Sequence, residues 1–385
     1  MAVSIPEEAE IVRAQRPIRV LAIGLRGIVG VQGGIETHAR KLYPLLVRLG
    51  CQVEVLQRAP YYRGARPREW HGVALRYLWS PRTPGLETAV HSLLGILYAA
   101  IDRPDIVHLH AVGPAFLTPL ARLLGLRVVV THHAADYRRE KWGWLARLLL
   151  ETGERVGMRC ANAPITVSAV LEDWVRRRYD VRPELIPNGA PRTRPLASKA
   201  ALEELGLEPR RYVMCVARID KVKRQLDLVD AFERSSLAGW KLVLVGACDG
   251  RDGYTTRLLE RAARNPSVVL AGFRGGRALA ELYSHCAVFV LPSSLEGHPI
   301  ALLEALTYGV PVLASDIPEN RALPIPSTSF FPVGDSESLA RLLAEAAVWK
   351  AGGDDLSRIV KERFSWRRAA HLTRSVYDRV LARRA

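Results

Sequence analysis

The stretch AVFVLPSSLEGHPIALLEALTYGVPVLAS, from Ala287 to Ser315, holds two apolar runs joined by a loop and a short apolar segment. A run as uniformly apolar as Ala287–Leu291 reads as a strand buried on both faces, the kind parallel sheets use. Pro299 suits the first helical position, where a missing N–H costs nothing. Gly309 suits a helix stop, and Pro311 prevents continuation. The ligands of such strand–loop–helix units sit at the carboxyl ends of strands, and free N–H groups of a first helical turn attract phosphate. The backbone over His298, Pro299, Ile300 and Ala301 is therefore a candidate diphosphate cradle. Glu296 and Glu304 flank it, and a carboxylate accepts two hydroxyl hydrogen bonds at once, which suits a ribose diol or a sugar.

Outward from this stretch the same rhythm recurs. RVLAIG (Arg19–Gly24), QVEVL, VALRYL, DIVHLH, RVVVTHH and APITVS are strand-like runs separated by helix-like ones. ELIPNGAPRTRPLASKAALEELGLEPRR then breaks the series with prolines and charges and reads as a linker with a short helix. A second series opens at YVMCVARI and passes through KLVLVG and SVVLAG. This alternation predicts an α/β protein of two Rossmann-like doubly wound parallel-sheet domains, residues 18–190 and 191–365. Residues 1–17 read as a disordered or extended tail. Trp366, Ala370, Leu372, Val376 and Val380 recur at near-helical intervals, so 366–385 reads as an amphipathic helix.

At 385 residues the chain is long for one core and short for three. Lys and Arg outnumber Asp and Glu by 55 to 39, which favours anionic partners. No aromatic-basic nucleic-acid module stands out, so nucleic acid is not an expected partner. Cys51, Cys160, Cys215, Cys248 and Cys286 are widely spaced and read as buried thiols of a reducing compartment. The first residues lack a secretory pattern, and the apolar run Ala89–Ile101 is too short to span a bilayer. A cytosolic location is the expectation.

Three further constellations carry chemistry. CVARIDKVKR places Arg218 and Lys223 on a loop after a strand, where two cations can converge on a diphosphate without a metal. The loop GLRGIVGVQGGIETHARKL lacks the G-x-G-x-x-G spacing of a dinucleotide site, and the following strand ends in Arg58 rather than an acid, which disfavours a dehydrogenase. Its glycines allow close backbone approach to a ligand. Adjacent His132 and His133 point to opposite sides and do not suit a shared metal. Finally, Trp142, Trp144, Leu145, Leu148 and Leu149, with Lys141, Arg147 and Arg155 among them, suit either core packing, the favoured reading, or contact with anionic lipid.

Taken together, Glu296, Gly297, His298 and Glu304 resemble the E-G-(aromatic or aliphatic)-x5-E motif of the family-4 retaining glycosyltransferases, whose fold is GT-B: two Rossmann-like domains facing a cleft. The segment from Arg218 to Arg224 resembles that family's G-R-x4-K-G pattern, with Ala217 and Arg224 in place of the glycines. Asn188 and Gly189 resemble its hinge, and the resemblance runs from about Arg19 to Leu381. It implies that Glu296 contacts the transferred sugar, Glu304 the ribose, and Arg218 and Lys223 the diphosphate, with Arg224 open as a further cation. Gly33 and Gly34 match its GG-x-E turn at the donor. His133, with Asp136 beside it, matches its cleft histidine near donor sugar or acceptor. His298 departs from the usual Phe or Leu, so only its backbone role carries over. The expected catalytic set is Glu296, His133, Arg218 and Lys223, with no metal or other cofactor. The implied partners are a nucleotide-sugar donor and a glycan or lipid-linked acceptor, with peripheral contact to an anionic membrane if the acceptor is a lipid. The alternatives are a sugar-nucleotide epimerase of the same fold and a non-catalytic cationic scaffold.

Overall fold

The computed structural model describes residues 16–383 other than 63, 65, 84, 140, 141, 192, 193, 236, 249, 251 and 347–353. The tail expected over 1–17 lies, through residue 15, outside the described residues.

Two sheets carry the fold. The first contains β1 (Ile18–Ile23), β2 (Cys51–Arg58), β3 (Glu69–Trp70), β4 (Val73–Leu78), β5 (Ile106–His110), β6 (Val128–His132), β7 (Ala163–Thr166) and β8 (Glu184–Leu185), in the order β3-β4-β2-β1-β5-β6-β7-β8. All neighbours run parallel except β3 and β4. The second sheet is wholly parallel: β9 (Tyr212–Val216), β10 (Lys241–Val245), β11 (Val268–Gly272), β12 (Val288–Leu291), β13 (Val312–Ser315) and β14 (Phe330–Phe331) lie in the order β11-β10-β9-β12-β13-β14.

The apolar runs become strands because both faces of each sheet are covered by helices. Along β1, Val20 and Ala22 enter one buried cluster while Leu21 and Ile23 enter another, the two-residue alternation of a pleated strand. Val213 and Cys215 part from Met214 in the same way along β9. In each sheet the order reverses beside the first strand of its domain: β1 lies between β2 and β5, and β9 between β10 and β12. Such reversal points leave crevices at the carboxyl ends of the strands. The two crevices face one another.

The helix Trp366–Ala382 returns to the first domain, where Trp366, Ala370, Val376 and Tyr377 join the cluster that also holds Leu42 and Leu46 of the helix Gly34–Arg48. Tyr377 Oη lies 2.7 Å from Nδ1 of His108 on β5. At the crossing point, a Cβ on Gly189 would lie 2.3 Å from the backbone nitrogen of Trp366, so the chain can pass there only with glycine. Among the described residues, no helix is long and apolar enough to cross a membrane.

Cys51, Cys215 and Cys286 are buried thiols, whereas Cys160 at a helix end is exposed, against the expectation of burial. The favoured core-packing reading of the Trp144 segment also fails. Trp144, Leu145, Leu148 and Leu149 lie on the solvent side of the helix Trp144–Cys160, which buries Gly153, Glu154, Gly157 and Met158 instead.

Candidate active site

A cavity of about 1570 Å³ occupies the space between the two sheets' carboxyl ends. Gly33, Gly34, His133, Asp136, Arg218, Lys223, Glu296, Gly297, His298, Pro299, Ile300, Ala301 and Glu304 all line it.

The second domain supplies a charged wall. After β12, the loop carries Glu296 to within 2.6 Å of Lys223 Nζ, through a contact between carboxylate Oε1 and ammonium. Lys223 ends a single 3-10 turn capped by Asp220, whose Oδ1 accepts the Val222 N–H at 3.2 Å. Arg218 lies 3.5 Å from Asp220 Oδ2, and its carbonyl accepts a 2.7 Å hydrogen bond from Gln225. Helix formation begins at Ile300, so Pro299 is the N-cap rather than the first helical residue. Its extended ψ of 100° turns the chain into the helix. Glu304 is partly buried in this helix, and burial raises its carboxyl above the usual glutamate range while Lys41, a hydrogen bond with Tyr283, and Arg40 pull it down. Both cations belong to the helix Gly34–Arg48 of the other domain.

Arg224 stands outside this arrangement. It does not line the cavity, and its Nε pairs with Asp227 at 2.5 Å. Its backbone lies at φ 52°, in the left-handed region. The arginine thus occupies a position whose geometry suits glycine, and the extra cation expected there is turned away from the ligand space.

Buried imidazoles dominate the first domain's wall. His110 on β5 and His133 after β6 are joined by a 2.9 Å contact between Nδ1 and Nε2, and His110 Nε2 also contacts the Tyr43 hydroxyl. His38 reaches the same point from the helix Gly34–Arg48. Its Nδ1 lies 2.8 Å from Asn188 Oδ1, and Asn188 Nδ2 donates to the His298 carbonyl at 3.0 Å. That chain makes the asparagine oxygen an acceptor, so His38 Nδ1 carries the proton and Nε2 keeps its lone pair. Nε2 is buried without a hydrogen-bond partner. Burial pushes His38 down to about 4, and holds His110 and His133 well below the ordinary histidine value, so all three are neutral at pH 7. His132 faces the other way and contacts the buried Glu154 carboxylate. Among the described residues, one cluster has metal-ligand geometry: His38, His110 and His133, with ring nitrogens within 4.8 Å of one another.

Besides the Asn188–His298 hydrogen bond, three further contacts hold the walls together. Gln32 makes a two-point amide pair with Ala247, donating to its carbonyl at 2.7 Å and accepting its N–H at 2.8 Å. Arg139 pairs with Asp136 at 2.9 Å on its own side and with Asp220 at 3.1 Å across the cleft. A Cβ on Gly297 would lie 1.6 Å from the His133 carbonyl oxygen, so the loop carrying Glu296 rests directly on the opposite domain.

Sequence reasoning had not singled out Gln32, Glu36, His38, Arg139 or Asn188 as site residues. Glu36 is the acid of the GG-x-E turn itself. It is buried, and its carboxyl is held below the usual range: burial opposes this, but the Arg26 guanidinium outweighs it through charge and hydrogen bonding. A Cβ on Gly33, at φ 153°, would fall 1.9 Å from the Glu36 carboxylate. The glycine pair thus makes room for this acid as well as for a ligand.

Known proteins resemble this chain in sequence and fold. The model described as Glycosyltransferase Family 4 matches residues 32–194, and that described as Glycosyl transferases group 1 matches residues 199–347. The alpha-maltose-1-phosphate synthase of Mycobacterium tuberculosis is 28% identical over 91% of this chain and 97% of its own length. The UDP-Gal:alpha-D-GlcNAc-diphosphoundecaprenol alpha-1,3-galactosyltransferase of Escherichia coli is 27% identical over 58% of this chain and 60% of its own. Among solved structures, the sucrose-phosphate synthase of Thermosynechococcus elongatus superposes with a TM-score of 0.80 at 22% identity, covering 95% of this chain and 99% of that one. Anabaena HepE, in complex with UDP and glucose, superposes with a TM-score of 0.74 at 17% identity, covering 94% and 100%.

Proposed function

The chain belongs to the family-4 glycosyltransferases of the GT-B fold, enzymes acting on sugar-nucleotide donors, and from that premise we propose that it transfers a hexosyl or deoxyhexosyl group with retained anomeric configuration. The acceptor is a glycan or lipid-linked sugar of polysaccharide, capsule or glycolipid synthesis, met in the cytoplasm or at the cytosolic face of the membrane. The observation that carries this reading is the Lys223–Glu296 contact at 2.6 Å beside Arg218, on the wall of the interdomain cavity.

In this reading the donor's diphosphate lies against Arg218, Lys223 and the first turn of the helix Ile300–Thr307. Negative charge grows on the leaving phosphate as the glycosidic bond breaks, so these groups stabilise the transition state more than the ground state. The protein's own cations fill the role a metal fills elsewhere, and no metal is required. Glu304 accepts the ribose hydroxyls, which favours its charged form against the burial that opposes it. Glu296 is held by Lys223 where it meets the transferred sugar. His133 and Asp136 face the acceptor, and contact between the domains excludes water.

The test is thermal stability with UDP, GDP, dTDP and ADP, each with and without EDTA, for the wild type and Glu304→Gln. One nucleotide at about a hundred times its dissociation constant should add roughly 2.7 kcal/mol to the wild type, with or without EDTA, and less to the variant. Equal responses of the two proteins would remove Glu304 from the ribose. A response abolished by EDTA would contradict the metal-free site and direct attention to His38, His110 and His133.

A further inference from the structure

The helix Leu86–Asp102 carries charge only at its two ends, Glu87 and Asp102. Between them His91, Ser92, Gly95, Ile96 and Ala99 are buried, while Leu93, Leu94, Leu97 and Ile101 face solvent, Ile101 at 84% exposure. The helix Trp144–Cys160 adds Trp144, at 77% exposure, with Leu145, Leu148 and Leu149. A side chain on Gly113 would touch Thr88 of the first helix at 3.4 Å and Leu150 of the second at 3.7 Å, so the two helices flank one seam. Single exposed apolar residues are ordinary, but a contiguous apolar face marks an interaction surface.

What distinguishes this face is where it leads. Leu86, Leu93, Phe116 and Leu149 are exposed and also line the interdomain cavity. Just inside, Arg58 lies on the cavity wall, paired with Glu87 at 2.9 Å, and Arg82 stands exposed at the mouth. Arg147 and Arg155 are exposed on the second helix. A ligand that meets this path from outside encounters apolar surface first, then guanidinium groups, then the transfer site. An apolar tail followed by an anionic head and a sugar matches that order, and a soluble glycan does not.

We propose that the first domain docks on an anionic bilayer through the exposed apolar faces of these two helices, on either side of the Gly113 seam, and that the acceptor is a lipid-linked sugar whose phosphate head passes Arg82 and Arg58 into the cleft. The proposal rests on the glycosyltransferase reading above. Apolar side chains entering the interface and cations attracted to anionic headgroups supply the affinity. A free sugar phosphate would satisfy the same arginines without using the apolar face.

The experiment is flotation of the whole chain with vesicles of phosphatidylglycerol and phosphatidylcholine, and of phosphatidylcholine alone. The wild type is compared with the double variant L94E/L97E, whose sites do not line the cavity, and with Leu372→Glu on the C-terminal helix. The wild type and Leu372→Glu should float with the anionic vesicles, and L94E/L97E should partition at least about tenfold less. Nucleotide-induced thermal stabilisation, read on the same samples, should be equal in all three, so a failed donor site and a failed membrane face are told apart. A wild type that stays in the soluble fraction, or an L94E/L97E protein that floats as well as it, overturns the proposal. So does efficient transfer to glucose 1-phosphate in solution that vesicles carrying a polyprenyl-linked sugar do not surpass.

Discussion

The two walls of the cleft solve the same problem with opposite chemistry. On the second domain's side, charged groups sit in pairs: Lys223 with Glu296, Arg218 with Asp220. On the first domain's side, His38, His110 and His133 meet as neutral rings, buried and hydrogen-bonded to one another or to Asn188 and Tyr43. An ion pair on the wall of an open cavity can exchange its partner for a ligand's charge. A buried charge without a partner is expensive, so the three histidines of the first domain's wall meet as uncharged donors and acceptors. The difference separates a wall that answers charge from a wall that holds shape.

The largest effect expected from this contrast is at Lys223. Lys223→Met removes the cation proposed to face the leaving group and leaves Glu296 without its 2.6 Å partner. By comparison with the loss of one preorganised donor in an active site, kcat should fall about 10²- to 10³-fold, with the fold intact. Steady-state kinetics with sugar donors of the nucleotide identified by thermal shift would measure it. If KM rises while kcat holds, Lys223 binds ground and transition states alike, and the wall that answers charge is merely a binding wall.

The second wall was much less legible in the sequence than the first, for a geometric reason. Glu296 and Glu304 lie on one uninterrupted strand–loop–helix unit, and Arg218 and Lys223 on another, so local spacing already fixes their relation. His38, His110, His133 and Asn188 come from four separate segments and meet only after the sheet order places β5 beside β1 and β6 beside β5. No periodicity links them. The parallel strands were readable as apolar runs, whereas β3 and β14, two residues each, carry too little pattern to read. The helix Trp144–Cys160 shows a different limit: its apolar stripe was visible, but periodicity does not say which stripe the protein covers.

Buried imidazoles, His38 of the second wall among them, carry a pH signature. Burial pushes His38 and His91 down to about 4, and His108 and His298 to about 3, against an ordinary 6.5. Each therefore binds its proton less readily folded than unfolded. The stability they contribute is complete above about pH 6.5 and is lost as pH falls toward those lowered values. Every such group steepens the acid slope by up to about 1.4 kcal/mol per pH unit in that window. Three of the four lie in the first domain. Urea midpoints across this range should fall less steeply for His38→Asn than for the wild type. An unchanged slope would mean that His38 charges within the folded protein, and the neutral description of that wall would fail.

The smallest effect concerns Arg224, which stands outside the charged wall on a backbone that does not favour it. A non-glycine residue at φ 52° carries a left-handed penalty of about 1–2 kcal/mol, partly offset here by the 2.5 Å pair with Asp227. Arg224→Ala keeps the penalty and loses the pair, while Arg224→Gly loses the pair and the penalty together. The glycine variant should therefore be more stable than the alanine variant by about 1 kcal/mol, after allowing for glycine's freer unfolded chain. Nucleotide affinity should be the same in both, because Arg224 does not line the cavity. If both variants instead lose nucleotide affinity together, the guanidinium acts on the donor from outside the cavity, and the charged wall reaches further than its lining.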